Sequence, residues 1–436
     1  MHTVNANPFQ YGNPVLPDQY IAPNNALIKL IKMRIFARMN IAIVSEPRCG
    51  KTSLLYYLKS QPFVQEINTQ ERFHFFQYID AHILFRNRGV NQSKFWMYTL
   101  SSIKSAVEKY PKSNIGKYYR ECENDNFDIF SLEALFEQIA KDKGRLVLLI
   151  DEFDDLLFHH DLGSEEFLGG LRSLATRMES LVLVITSRLT VSELNKKEQF
   201  QIHSGSPYFN HFIEEHLGVF SDDAAKKLLS KGMKKFSESD IKFLLYITGK
   251  YPYFLQVAAH SLWNVYENNM PTRKKNEYVA NQLYVAADPV LQDTWQHWSP
   301  IMRKAFVLVA LDEMPQILGA REFDIDRLRE ALKEYSTELM RLEMGGFIVR
   351  TVKSKAMWRV SAQVTLWWLS DILFSALREN DDMGHFLNQH QLSGIFSHGE
   401  RAQFAKAVAK IGELAKLGVE TFIKSAAEGV AKGLTG

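Results

Sequence analysis

Apolar residues in the first half of the chain gather in short, almost unbroken runs at 41–44, 146–150 and 181–185, with a fourth, aromatic run at 73–79 that ends on Asp80. Runs of that length and continuity suit strands buried on both faces of a parallel sheet, and the stretches between them carry helical periodicity. The pattern is α/β. Beyond about residue 204 the strand signal fades and amphipathic helices take over. Ser221 before Asp222 and Asp223 reads as an N-cap with a first turn matched to the helix dipole, opening a helix through Leu229. Further helices are expected over 238–248 and 253–266, with a polar break at 271–275. From 300 onward the order is helix (301–311), helix (324–333), helix (337–344), then Gly345-Gly346 and two extended pieces, 347–352 and 357–360. Three helices followed by a hairpin is the winged-helix order. A linker is expected at 380–382, and 400–434 reads as one long helix rich in Ala, Gly and Lys.

Between the first run and the helix after it stand Ser45, Glu46, Pro47, Arg48, Cys49, Gly50, Lys51, Thr52 and Ser53. The segment nearly matches G-x-x-x-x-G-K-[ST], a loop whose backbone N–H groups cradle phosphates while the Lys reaches the β- and γ-oxygens and the hydroxyl residue holds magnesium. Ser45 replaces the first Gly, whereas Gly50, Lys51 and Thr52 keep the chemical groups. Cys49 reads as a small loop filler rather than a redox thiol. The run at 146–150 ends in Asp151 and Glu152. These supply the second half of such a site: Asp151 binds magnesium through water, and Glu152 is the general base for an attacking water. Asp154 and Asp155 read as solvated first-turn residues. The run at 181–185 ends in Thr186, Ser187 and Arg188. In the usual sheet order its tip lies between the other two, where Thr186 or Ser187 would hydrogen-bond the γ-phosphate or the water and Arg188 would pair with the phosphate. The catalytic set is then Lys51, Glu152 and Arg188, the metal ligands are Thr52 and Asp151, and the cofactors are ATP or ADP with Mg2+. The expected fold is an α/β P-loop NTPase with a parallel sheet (1–204), followed by a helical lid (205–295), a winged helix (296–379) and a C-terminal helical tail (380–436).

Composition changes this picture little. The 436 residues are 46% hydrophobic and 23% charged, which is ordinary for a soluble globular chain, and the length suits about three domains. A formal charge of +2 gives no global field that would mark an obligate nucleic-acid or membrane binder. Two cysteines, Cys49 and Cys122, build neither a disulfide framework nor a multi-cysteine zinc site. Residues 1–14 lack the charged start and apolar core of a secretory signal, and the longest apolar runs, such as 305–311, fall far short of a membrane span. A cytoplasmic location is expected. Locally, Arg321, Arg327, Arg329, Arg341, Arg350, Lys353, Lys355 and Arg359 make the winged-helix region basic, and DNA is the alternative partner there. Glu322, Asp324, Asp326, Glu330, Glu334, Glu338 and Glu343 interleave with them, so a mixed solvated face is the simpler reading. In the tail, Phe404, Val408, Ile411, Ala415, Gly418, Phe422, Ser425, Gly429 and Gly433 recur at spacings of four and three. Such a seam serves docking on its own chain, association with a partner or second copy, or a membrane-surface helix with flanking lysines.

With these residues in view, the chain resembles the STAND class of P-loop ATPases, specifically the archaeal and bacterial group related to the NB-ARC switches. The resemblance spans about residues 7–371. It rests on Asn7-Pro8-Phe9, Gly50-Lys51-Thr52-Ser53-Leu54-Leu55, Asp151-Glu152, Thr186-Ser187-Arg188 and Gly249-Lys250-Tyr251-Pro252-Tyr253-Phe254-Leu255-Gln256. The last stretch is similar to the family's G-x-P element in the helical lid, with one extra residue between Gly249 and Pro252 unless Lys250 takes the Gly place. The resemblance implies that Pro252 packs near the nucleotide base. It also implies a slow ATP-hydrolysing switch that self-associates in its ATP state and controls the output of a C-terminal helix, with an unidentified trigger and a role in prokaryotic defence. Ser45, and Ile21-Ala22-Pro23-Asn24 where relatives carry a Val-Gly-Arg type sequence, depart from the family. A DNA-associated AAA+ ATPase shares the same parts and is the alternative. Such proteins normally carry a lid arginine that senses the γ-phosphate, and 253–266 contains none.

Overall fold

The computed structural model describes residues 6–69, 72–86, 89–110, 112–196, 208–271, 274–318, 325–352, 354, 356–380, 383–416 and 418–431. Two compact units divide the chain: Pro14–Glu46 with Gly50–Leu217, and Met1–Asn13 and Pro47–Cys49 with Gly218–Gly436.

The first unit is built on strands β1 (Asn40–Val44), β2 (Phe73–Asp80), β3 (Gly144–Asp151), β4 (Leu181–Ser187) and β5 (Phe212–His216), all parallel, in the order β2-β3-β4-β1-β5. Every residue of β1, β3 and β4 is buried, as unbroken apolar runs require. Their side chains alternate between two separate cores. Ala42, Leu146, Leu148, Ile150, Leu183 and Ile185 enter one. Ile41, Ile43, Val147, Leu149, Val182 and Val184 enter the other, under helices α1 (Asn25–Phe36) and α2 (Lys51–Leu58). As expected, β4 lies between β1 and β3. The helix α3 (Ala81–Arg86) follows β2 directly.

Sequence reasoning missed β5. Its Phe-Ile-Glu-Glu-His composition fails a test for buried strands, because its acids sit at the sheet edge and find partners there. Glu214 accepts the Val191 N–H at 2.7 Å and lies 2.9 Å from His216 Nε2, and Glu215 pairs with Arg34.

The second unit contains α4 (Glu238–Thr248), α5 (Pro252–Glu267), α6 (Lys275–His297), α7 (Pro300–Ile317), α8 (Asp326–Ala331) and α9 (Ser336–Met344). The antiparallel pair β6 (Ile348–Arg350) and β7 (Trp358–Val360) comes next. Helices α10 (Gln363–Asn380), α11 (Met383–Gln389), α12 (His398–Ala415) and α13 (Glu420–Ala431) complete it. Three helices and a ribbon thus follow in the order read from sequence. The 204/205 boundary, Arg321, Glu322, Asp324, Lys353, Lys355 and Gly433 lie outside the described residues. Residues 6–13 cluster with this unit, where Asn7 Nδ2 donates to the His260 carbonyl (3.1 Å) and Phe9 stacks on Phe236.

The tail is two helices rather than the single one expected over 400–434. Lys416 adopts left-handed φ/ψ (54°, 37°) and ends α12, and the Thr421 hydroxyl caps the freed Ala415 carbonyl at 3.0 Å. Of the three uses weighed for the seam, the structure has it docked on its own chain: Phe404, Val408, Ile411, Ala415 and Phe422 are buried. Phe422 stacks on Phe374 of α10, and Phe404 on Phe386 of α11. Among the described residues no helix is long and apolar enough to cross a membrane. A polar anchor accompanies this packing. Lys304 of α7 is 1% exposed and donates to the Ile395 carbonyl (3.0 Å) and to Glu400 Oε1 (2.9 Å). Phe422→Ala should therefore lower unfolding stability by about 3–5 kcal/mol, measured by chemical denaturation of the full chain. A loss under about 1 kcal/mol would contradict this account of the tail.

Candidate functional site

The loop after β1 begins by extending the sheet: Ser45 N donates to the Ser187 carbonyl at 3.1 Å. Ser45 has no left-handed backbone, so its replacement of Gly carries no conformational cost; the positive φ values fall at Arg48 (62°) and Gly50 (97°). Gly50 is the residue preceding α2, and its φ is one that L side chains rarely adopt. Lys51 is buried, and its ammonium donates to the carbonyls of Ser45 (2.8 Å) and Glu46 (3.0 Å), which holds it inside the loop. Thr52 is half-buried in the first turn of α2. Ser53 faces inward, its hydroxyl accepting the Val15 N–H at 2.9 Å. Cys49 is buried, as a loop filler should be.

Asp151, the last residue of β3, is 3% exposed. Its Oδ1 accepts the Thr186 hydroxyl at 2.5 Å and its Oδ2 accepts the Tyr78 hydroxyl at 3.2 Å. The Thr186 oxygen in turn accepts the Glu152 N–H at 3.0 Å. One hydroxyl therefore ties both acids to the tip of β4. Beside the expected role of Thr186 or Ser187 toward the γ-phosphate or the water, the Thr186 proton here goes to Asp151. Ser187 is fully buried, its Oγ accepting the Leu189 N–H at 2.9 Å.

Glu152 sits in the left-handed region (φ 51°, ψ 47°), which turns its side chain out of the strand direction. Burial, then the nearby Asp151 and Asp155 charges, push its carboxyl above the usual range, and Arg188 and His82 oppose them. Arg188 is thus placed electrostatically beside the acid pair. His82 on α3 was not anticipated. Its Nδ1 lies 2.6 Å from Asp155 Oδ2 and 3.8 Å from Glu152 Oε2, so Asp155 is engaged rather than merely solvated. Tyr78 was missed as well. Both flank the acids because β2 runs in register beside β3, with Asp80 opposite Asp151.

Thr52 and Asp151 would offer magnesium oxygen donors, the kind it prefers. Asp151 accepts from the neutral hydroxyls of Thr186 and Tyr78, one on each carboxylate oxygen, which leaves lone pairs on both for metal-bound water. The residues 45–53, with a buried lysine and a helix N-terminus, fit a polyphosphate. In the second unit, Gly249 (φ 56°) and Lys250 (φ 63°) are both left-handed, so Lys250 takes a glycine-like conformation before Tyr251 and Pro252. Pro252 is buried at the first position of α5. The loop tip, Pro47–Cys49, clusters with this unit: the Tyr251 hydroxyl donates to the Pro47 carbonyl at 2.5 Å, and Arg48 lies over the Tyr253 ring at 5.6 Å.

No protein-family model matches the chain, and no curated protein is detectably similar to it in sequence. Solved structures are similar in fold. A Walker-type ATPase of Pyrococcus abyssi superposes with a TM-score of 0.51 at 16% identity, over 83% of this chain and 99% of that one. The ORC2 protein of Aeropyrum pernix, solved as ADPNP–ADP complexes, gives 0.47 at 12% identity, over 83% and 97%. The parallel sheet, the loop between β1 and α2, and the likeness to the Pyrococcus protein along nearly its whole length identify the fold as that of a P-loop NTPase with a helical C-terminal region.

Proposed function

We propose that this chain binds ATP with magnesium and hydrolyses it slowly, acting as a STAND-type switch whose nucleotide state governs self-association. The observation that supports this most is a convergence at the C-terminal ends of three neighbouring parallel strands. There, Lys51 is held by its loop, and Asp151 and Glu152 are tied to Thr186.

Lys51 neutralises β- and γ-phosphate oxygens, and Arg188, whose charge is felt by Glu152, adds a second positive charge. Thr52 and Asp151 hold the magnesium ion, which supplies further neutralisation of the phosphates. Glu152, with its raised proton affinity, accepts a proton from a water whose oxygen bonds to the γ-phosphorus as the bond to the β-bridging oxygen breaks. Thr186 and Tyr78 fix the direction of Asp151 throughout. A switch requires that its two states bind nucleotide differently, and contacts from Lys51 and Arg188 to the γ-phosphate supply that difference. Pro252 is the proposed neighbour of the base.

Two features bear on the finer reading. The tail seam is buried on its own chain, so self-association rather than a released C-terminal helix is the proposed output. The DNA-binding alternative is not favoured, because two of its arginines, Arg329 and Arg350, are drawn into local pairs. Arg329 lies 2.6 Å from Asp312 and 2.7 Å from Asp326, and Arg350 stacks on Trp358 beside Glu343.

Identification of nucleotide released from purified protein, with light scattering in the presence and absence of an ATP analogue, tests the reading directly. Lys51→Ala or Thr52→Ala should abolish ATP binding or turnover; normal affinity and hydrolysis in either variant would refute the site. Glu152→Gln should keep nucleotide bound, slow hydrolysis by about a hundredfold or more and increase the assembled species, so an unchanged rate removes Glu152 as the base. Thr186→Val should cut hydrolysis by about ten- to a hundredfold, the usual effect of losing a group that orients a metal ligand. Thr186→Ser should restore it. Equal rates for Val and Ser would show that the hydroxyl does not align the acids.

A further inference from the structure

At the end of the sheet remote from the loop 45–53, where β2 and β3 begin, cations gather with little to balance them. In the register of these two strands His74 stands opposite Arg145, so their side chains share a face. Arg145 is 3% exposed. Its Nη1 donates to the Ile35 and Phe36 carbonyls at the end of α1, at 2.6 and 3.1 Å, and its Nε donates to the Glu179 carbonyl at 3.2 Å. Those acceptors orient the guanidinium without cancelling its charge. Burial, then Arg72 and Arg38, pull its pKa down to about 10. The acid that opposes them, Glu179, is exposed and already pairs with Arg38 at 3.2 Å.

Two polar atoms in this cluster are enclosed without a hydrogen-bond partner among the described residues: Nη1 of Arg72, which leads into β2, and Nε2 of His74, which is 5% exposed. The His74 tautomer is fixed by Asn68, whose Oδ1 accepts the His74 backbone N–H at 2.9 Å and lies 3.1 Å from Nδ1. Nδ1 therefore carries the proton, and the lone pair is left on Nε2. Burial, then the Arg145 and Arg72 charges, lower the imidazole pKa to about 4, so the ring is neutral. Phe36, 46% exposed, covers it edge to face at 5.9 Å. Buried polar groups are ordinarily paired, and charged ones most of all. A ligand that satisfies both atoms must be an anion that accepts from arginine and still has a proton to give to His74.

We infer that Arg72, His74 and Arg145 form a binding site for a protonated phosphate oxyanion, either inorganic phosphate or the phosphoryl group of a small phosphomonoester. Charge-assisted bonds from the two arginines supply the affinity, and the P–OH group donates to His74 Nε2. Rotation of the Phe36 side chain opens the way in. Sulfate has the same tetrahedral shape but no proton near neutral pH, so it would leave the buried acceptor unpaired. The inference stands apart from the ATPase reading, since none of these residues belongs to the nucleotide site.

Isothermal titration of the full chain with phosphate, glycerol 3-phosphate and sulfate tests it, at about pH 6, where phosphate and its monoesters retain a proton. The loop 45–53 can also take a phosphate, so each titration is run on wild type and on Lys51→Ala. Saturable binding of phosphate or glycerol 3-phosphate, persisting at one site per chain in Lys51→Ala, is expected; the tighter of the two identifies the free ion or the ester as the ligand. Sulfate should bind at this site at least about tenfold more weakly. Arg72→Gln, at a half-buried position where loss of fold is not expected, should weaken phosphate binding by at least about tenfold. His74→Leu should narrow the gap between phosphate and sulfate, a change that a merely structural histidine would not produce. Failure of both phosphates to saturate the Lys51→Ala chain, undiminished binding in Arg72→Gln, or sulfate binding as tight as phosphate would overturn the assignment.

Discussion

A sheet closed to water on both faces leaves its polar chemistry a single outlet, the ends of its strands. In β1, β3 and β4 every position is buried, and a slip of one residue would exchange the two cores. The pairing of Ile150 with Ile185 is therefore fixed by packing far from any chemistry, and it brings Asp151 and Glu152 level with Thr186. The same packing sets Lys51 beyond the end of β1, next to β4. The hydroxyl of Thr186 then completes a network in which its one proton and its oxygen are both used. Buried networks of this kind rigidify a site only when every member is satisfied.

Much of this was legible in the chain itself. Unbroken apolar runs announced three central strands, Gly-Lys-Thr after the first announced the loop, and an acid pair after another announced its counterpart. What escaped was whatever depended on neighbours distant in sequence. β5 hid its strand character behind two glutamates that only the folded edge makes tolerable. Tyr78 and His82 carry no motif and matter only because β2 runs in register beside β3. Thr186 stands at the expected tip, but its bond to Asp151 was not legible, since a sequence shows which groups arrive together and not which of several acceptors takes a proton. The break at Lys416 is invisible to periodicity because lysine is an ordinary helix former, and its left-handed backbone is imposed by the packing on either side.

The second unit is organised differently. Where the sheet relies on continuous apolar contact, these helices are joined by polar crosslinks between specific pairs: Tyr284 with Asp371, Trp368 with Asp288, and the backbone N–H of Val360 with Glu313 at 2.6 Å. Burial holds the Glu313 carboxyl above the usual range, with the Val360 and Gln363 donors working the other way. Glycine serves the same end at one point, for a Cβ on Gly249 would meet the Ser361 backbone at 2.7 Å, closer than any real contact allows.

The buried ion pair between Lys304 and Glu400 has a consequence for how the C-terminal helices find their seats. Apolar stripes of alanine and glycine fit one another at several offsets, one turn apart, with little to choose between them. A lysine enclosed to 1% exposure admits no such choice, because any offset that withdraws Glu400 and the Ile395 carbonyl strands a charge in a low-dielectric interior. The pair therefore works as an indexing pin: it adds little net adhesion, yet it makes every misaligned docking of α12 prohibitively costly and leaves one alignment from a degenerate set.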